Sequence, residues 1–207
     1  MSTLREELAL LSYESANGRA STYLDLGLGG AVLYELALAG RIGLDGKKVR
    51  VLDPTSTGDP VLDARLAAIA ADKPRSPHAV VERTAKGLLP TVRDGLVASG
   101  ALRHERTKSL RIFTVNRYRS SDRNATADAR TRLASAARNG RAFDERTQAL
   151  LSLVAAVRLE KSLFPDRQTR PSRKEIKAFA EAHWVGTATR RAVANRDGAN
   201  AAATSSG

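Results

Sequence analysis

The side chains with chemical reach in this sequence are mostly cations. The chain holds 34 Lys and Arg against 22 Asp and Glu, a net charge of +12. The excess is uneven, because residues 1–100 carry 12 of each sign whereas residues 101–207 carry 22 Lys and Arg against 10 Asp and Glu. Arg103, Arg106, Arg111, Arg117 and Arg119 open the most basic stretch, and they are expected to form a positive face that attracts phosphate, on a lipid or on a nucleic acid. The absence of cysteine excludes disulfides and thiol nucleophiles. His78, His104 and His183 stand too far apart for metal-ligand spacing, so no metal site is expected. Asp59 and Asp63 lie four residues apart, but they read as a helix N-cap and a first-turn carboxylate rather than a catalytic pair. With no Gly-rich phosphate loop, nucleophile elbow or paired His and carboxylate, the expectation is a protein that is no enzyme and needs no cofactor.

The elements that must position these cations are mostly helices. Thr3-Leu4-Arg5-Glu6 is a capping box, followed by Leu4, Leu8 and Leu11 on one stripe. Leu28 to Leu38 is apolar on nearly every side, and Ala149 to Val157 is apolar around its whole circumference, so both helices belong in the interior. Asp45-Gly46 between Arg41–Leu44 and Val49–Leu52 predicts a hairpin. Asp59-Pro60 and Ser76-Pro77 each start a helix, and Pro90 should split the second of these near Leu88-Leu89. A second hairpin is expected over 101–116 with its turn at Thr107-Lys108-Ser109, then an Arg-rich surface helix from Asp122 to Asn139. One last helix starts at the capping box Ser172–Glu175. The fold class is therefore mainly α: one compact helix-rich domain over 1–195 with a central apolar helix and two short β-hairpins. The small polar residues of 196–207 read as a disordered tail.

Four ordered stretches carry a family resemblance. They are Leu4-Arg5-Glu6-Glu7-Leu8-Ala9-Leu10-Leu11, the run from Gly29-Gly30 through Glu35-Leu36-Ala37 to Gly40-Arg41-Ile42-Gly43-Leu44, Thr57-Gly58-Asp59-Pro60-Val61-Leu62-Asp63, and Asp144-Glu145-Arg146-Thr147-Gln148-Ala149-Leu150-Leu151. In this order they resemble the Golgi phosphoprotein 3 family over roughly residues 3 to 195. The resemblance implies a peripheral membrane protein that binds phosphatidylinositol 4-phosphate and acts as an adaptor for cytoplasmic tails of membrane enzymes. It places Tyr23 nearest the family's pocket tryptophan and Lys86 at the first of two pocket arginines. Leu28 and Leu89 stand at the two remaining arginine positions. The family's apolar self-association hairpin has no counterpart, so a monomer is expected.

On this reading Tyr23, Arg83, Lys86 and Arg93 hold an anionic phospholipid headgroup, with the membrane surface as the partner. No stretch reaches the roughly 18 consecutive apolar residues of a membrane-spanning helix, and Met1–Glu7 does not resemble a signal peptide. The expected location is the cytoplasm, peripheral on the inner face of the cell membrane, in a chain whose Arg- and Ala-rich composition is of bacterial type. The alternative is a winged-helix-like nucleic-acid-binding protein using the basic 101–141 segment, because a helix followed by a hairpin occurs twice. Against it, Arg93 is the one basic residue between Leu88 and Ser99, too few for a recognition helix.

Overall fold

A computed structural model describes residues 2–109, 113–121, 123–140, 142, 144–167 and 170–205. Thr3 and Glu6 complete the capping box of α1 (Leu4–Ser15), which buries Leu4, Leu8 and Leu11. Helix α2 (Leu24–Leu38) begins ahead of the expected Leu28, since Leu24 and Leu26 are themselves buried and extend the apolar run. Strands β1 (Ile42–Asp45) and β2 (Lys48–Val51) form the first hairpin, with Ile42 opposite Val51 and Leu44 opposite Val49.

Asp59 caps α3 (Pro60–Ala71), its carboxylate accepting from the Val61 and Leu62 amides at 2.9 and 3.1 Å. The next helical run splits into α4 (Pro77–Ala85) and α5 (Leu88–Ala98) at Gly87, beside the expected Leu88-Leu89, but glycine rather than Pro90 makes the break. Gly87 adopts φ +71°, which ends α4 and turns the chain. Pro90 then falls in the first turn of α5, where the amide it lacks would have had no helical partner.

Strands β3 (Leu102–Ser109) and β4 (Phe113–Ser120) pair antiparallel from Leu102 opposite Ser120. Residues 107–109, expected as the turn, continue β3, and the turn itself lies outside the described residues. Helices α6 (Arg123–Arg138), α7 (Glu145–Ala156), α8 (Glu160–Leu163), α9 (Arg173–Glu181) and α10 (Trp184–Ser205) complete the chain. The one helix expected from Ser172 is thus two. The ring of His183 separates them, its Nδ1 accepting from the Val185 amide at 3.2 Å as the cap of α10.

The expected disordered tail is corrected as well, for α10 runs through to Ser205. Arg196 clamps the Asp25 carboxylate with two hydrogen bonds of 2.7 Å, and Asp197 accepts from Tyr23 and Arg158. Alanines at 199 and 201–203 then continue the helix by intrinsic preference.

The architecture is mainly α, with ten helices and two two-stranded sheets among the described residues. At its centre α2 packs against α1, α4, α7 and α10. Its glycines set how closely those neighbours come. A Cβ on Gly29 would lie 2.7 Å from the Val81 carbonyl oxygen of α4, and one on Gly30 would overlap the Thr189 hydroxyl of α10. No helix among the described residues is long and apolar enough to cross a membrane.

Candidate anion-binding site

The structure divides the expected headgroup residues among three places. Arg83 and Lys86, at the end of α4, share a cavity of about 200 Å³ with Arg65, Lys73 and Arg75. Tyr23 lies away from it at the start of α2, where its hydroxyl donates to Asp197 and its ring stands under the Arg158 guanidinium at 5.2 Å. That bond to a carboxylate holds the phenol above its ordinary pKa and the Asp197 carboxyl below its own. Arg93 faces the second hairpin, pairing with Asp94 at 2.7 Å and covering the Tyr118 ring at 5.2 Å.

The expected positive face on 101–141 is also broken up. Side chains alternate along a strand, so Arg103, Arg117 and Arg119 share one face with Glu105, whereas Arg106 projects on the other. Glu105 accepts from Arg119 at 3.0 Å. Arg111 lies outside the described residues. Farther along, Arg130 pairs with Glu14, and Arg132 with Glu7 and Asp128, so α6 spends cations on holding the fold.

The cavity between α3, α4 and β2 is different in kind. Its apolar lining is made by Val49, Ala68, Ile69 and Val80, of which Val49 and Val80 are buried. Five cations surround one carboxylate, Asp72, which takes Arg75 at 2.6 Å and Arg83 at 2.9 Å. The hydrogen bond from Arg75 holds the Asp72 carboxyl below its ordinary range. Arg65 donates to the Lys86 carbonyl oxygen at 3.0 Å, which ties α3 to the end of α4. Lys73 and Lys86 are exposed and have no ion-pair partner among the described residues. A cluster with surplus cations over an apolar lining is suited to a phosphate group on a partly apolar molecule.

This cavity adjoins the first hairpin. The Val49 amide donates to the Arg75 carbonyl at 2.9 Å, and Val49 sits opposite Leu44 in the hairpin register. Leu44 and Leu52 are 44% and 65% exposed, two of the large apolar side chains this surface leaves in water. The exposed Leu44 thus lies across one strand from a residue that lines the cation-rich cavity.

Comparison with protein families matches residues 4–196 to Golgi phosphoprotein 3 (GPP34). The chain belongs to that family. No curated protein matches it.

Set against the Golgi phosphoprotein 3 pocket implied by resemblance, the geometry has moved. Leu28, at the position of one pocket arginine, is wholly buried, and Leu89 is half-buried against the core. Neither position can offer a cation. The hollow between α4 and α10 that includes Lys86 also contains Asp25, Glu82 and Arg196, and the Asp25–Arg196 pair neutralises much of it. Lys86 borders both hollows, and only the α3–α4 side carries surplus positive charge. Arg65, Lys73 and Arg75 were not singled out by sequence reasoning. For Lys73 and Arg75 the sequence signal is the pattern Asp72-Lys73-Pro74-Arg75-Ser76-Pro77, a cation-bearing loop pinned by two prolines between helices, whereas Arg65 stands within α3 with no such mark.

Proposed function

We propose that this chain is a peripheral membrane-surface protein whose α3–α4 cavity binds the phosphate of an anionic phospholipid headgroup. The observation that carries the reading is the cluster of five cations over the apolar lining of this cavity, whose Val49 sits opposite the exposed Leu44 in the first hairpin. Lys73 and Lys86 supply unpaired positive charge, while Arg65, Arg75 and Arg83 are fixed by their internal bonds and shape the site. Each cation close to an anionic leaflet contributes on the order of 1 kcal/mol, so two free lysines alone give transient attachment. Partial insertion of a leucine adds apolar burial to that attraction. Together they favour reversible residence on a lipid surface.

Cosedimentation with vesicles tests this directly. The chain is expected to pellet with phosphatidylcholine vesicles containing phosphatidylserine or a phosphorylated inositol lipid, and not with phosphatidylcholine alone. The double reversal Lys73→Glu with Lys86→Glu should abolish pelleting, whereas Arg93→Ala should leave it intact. Equal pelleting with neutral vesicles, or none with either, overturns the reading.

A further inference from the structure

A larger hollow lies elsewhere, a basin of about 870 Å³ bordered by α7, α8, α9 and α10. Its floor is aliphatic and mostly small, including Ala155, Ala156, Ala180 and Val193, with Ile176 beside them. Seven cations line it against a single carboxylate, Glu160. Three of the seven are committed internally. Arg158 pairs with Asp197 and Arg190 with Glu181, while Arg170 donates to the Phe164 and Pro165 carbonyls at 2.7 and 2.9 Å. Lys161, Arg167, Arg173 and Lys177 are exposed and have no ion-pair partner among the described residues. Arg173 and Lys177 stand one turn apart on α9, so their charges project to the same side.

We propose that this basin docks an acidic polypeptide segment of a partner protein, with Lys161, Arg167, Arg173 and Lys177 receiving its carboxylates. Charge complementarity requires an anionic occupant, and three features select a polypeptide among anions. The lining has no aromatic ring on which a nucleic-acid base could stack. The basin is concave, with its apolar atoms in the floor, whereas a lipid surface would meet the rim alone. Glu160 lies buried in that floor with one carboxylate oxygen unpartnered among the described residues, an acceptor that a backbone N–H of a polypeptide can satisfy and a phosphodiester, which carries no donor, cannot. Aliphatic side chains of the segment would fill the space left by the alanines. Rim charges of this kind govern recognition and salt sensitivity.

Fluorescence anisotropy of a labelled peptide of glutamates interspersed with leucines reads the interaction. Binding is expected for this peptide and not for the same sequence with lysine replacing glutamate. Arg173→Glu with Lys177→Glu should weaken it at least about tenfold. Both side chains are exposed, and unchanged circular dichroism and melting confirm that the variant folds. The cavity variant Lys73→Glu with Lys86→Glu should bind the peptide as the parent does, which separates this groove from the lipid reading. Equal affinity of the parent and the α9 variant, or tighter binding of a length-matched single-stranded oligothymidylate, overturns the proposal.

Discussion

Arg5 Nη1 donates to Glu35 Oε2 at 2.5 Å, and through its other amino group the same guanidinium reaches Asp59. One cation near the start of α1 thereby joins the end of α2 to the cap of α3. Glu35 also accepts from the Leu4 amide at 2.6 Å, so it serves as a distant cap for α1. These side chains belong to three of the four stretches that carry the family resemblance. The fourth joins them through Arg146, which pairs with Glu7 at 3.2 Å. The shared motifs are thus staples between helices, and they say more about fold than about ligand.

Breaking this staple should cost far more than a surface pair. The Arg5 and Glu35 side chains are 6% and 13% exposed, so removing Glu35 leaves the buried guanidinium with Asp59 as its remaining partner and one donor group unmatched. Glu35→Ala is expected to lower unfolding stability by about 3 kcal/mol in urea titration, within the range typical of broken buried pairs. Arg5→Met combined with Glu35→Leu should recover part of the loss by removing both charges. A cost below about 1 kcal/mol for Glu35→Ala would assign the pair the weight of an exposed salt bridge.

Glycines in this fold should divide sharply by position. A Cβ on Gly186 would overlap Ser152 Oγ and the Ala180 carbonyl, and one on Gly30 would meet Leu153 Cδ2 at 2.7 Å as well as Thr189. Alanine at either site is expected to destabilise by about 1–3 kcal/mol through overpacking. Gly95, inside α5, has nothing within 4 Å of an added Cβ, so Gly95→Ala should stabilise by about 0.5–1 kcal/mol. Thermal melts of the three variants give the comparison, and a uniform response would contradict it.

Most of the fold was legible because local signals and burial agree. Capping boxes at Thr3 and Ser172, the Asp59-Pro60 start and the circumferentially apolar α7 all appear where their residue patterns put them. The failures have physical causes. Pro90 looked like a breaker because its distance from the helix start is not visible until Gly87 is known to adopt positive φ. The tail looked disordered because its contacts, Arg196 to Asp25 and Asp197 to Tyr23, span more than 170 residues. The site was less legible still. Counting charge over residues 1–100 gives neutrality, but Glu7, Glu35 and Asp59 are engaged at the α1–α3 staples while Lys73 and Lys86 are left over beside α4.

The cap between α9 and α10 should make stability pH-dependent near neutrality. His183 Nδ1 accepts the Val185 N–H, which requires an unprotonated nitrogen there, and the ring stacks on Tyr34 at 4.6 Å. Burial lowers the His183 pKa from its ordinary 6.5, outweighing attraction from Glu145. Because the unfolded chain then binds the proton more readily, this contribution is complete above about pH 6.5 and is lost as pH falls toward the lower folded value. His183→Asn keeps a capping acceptor without titrating. Melting temperature is therefore expected to fall between about pH 7 and pH 5 more steeply for the parent than for the variant. Parallel curves would remove His183 from the account.

The first hairpin should report contact with lipid. Leu52 packs across Gly43, yet most of its side chain stays in water, so replacing it disturbs little of the core. A fully buried leucine contributes about 1.5–3 kcal/mol relative to exposure, and a partly inserted one supplies a fraction of that. Leu52→Ser is accordingly expected to reduce partition onto anionic vesicles by roughly three- to tenfold while leaving the melting temperature nearly unchanged. Leu52→Trp, made with Trp184→Phe so that the new indole is the sole reporter, should shift its emission to the blue on adding those vesicles. High salt should reverse that shift, because the lysines that bring the hairpin to the surface are screened. Vesicle binding without any spectral change would mean that the cations act alone and the leucines remain in water.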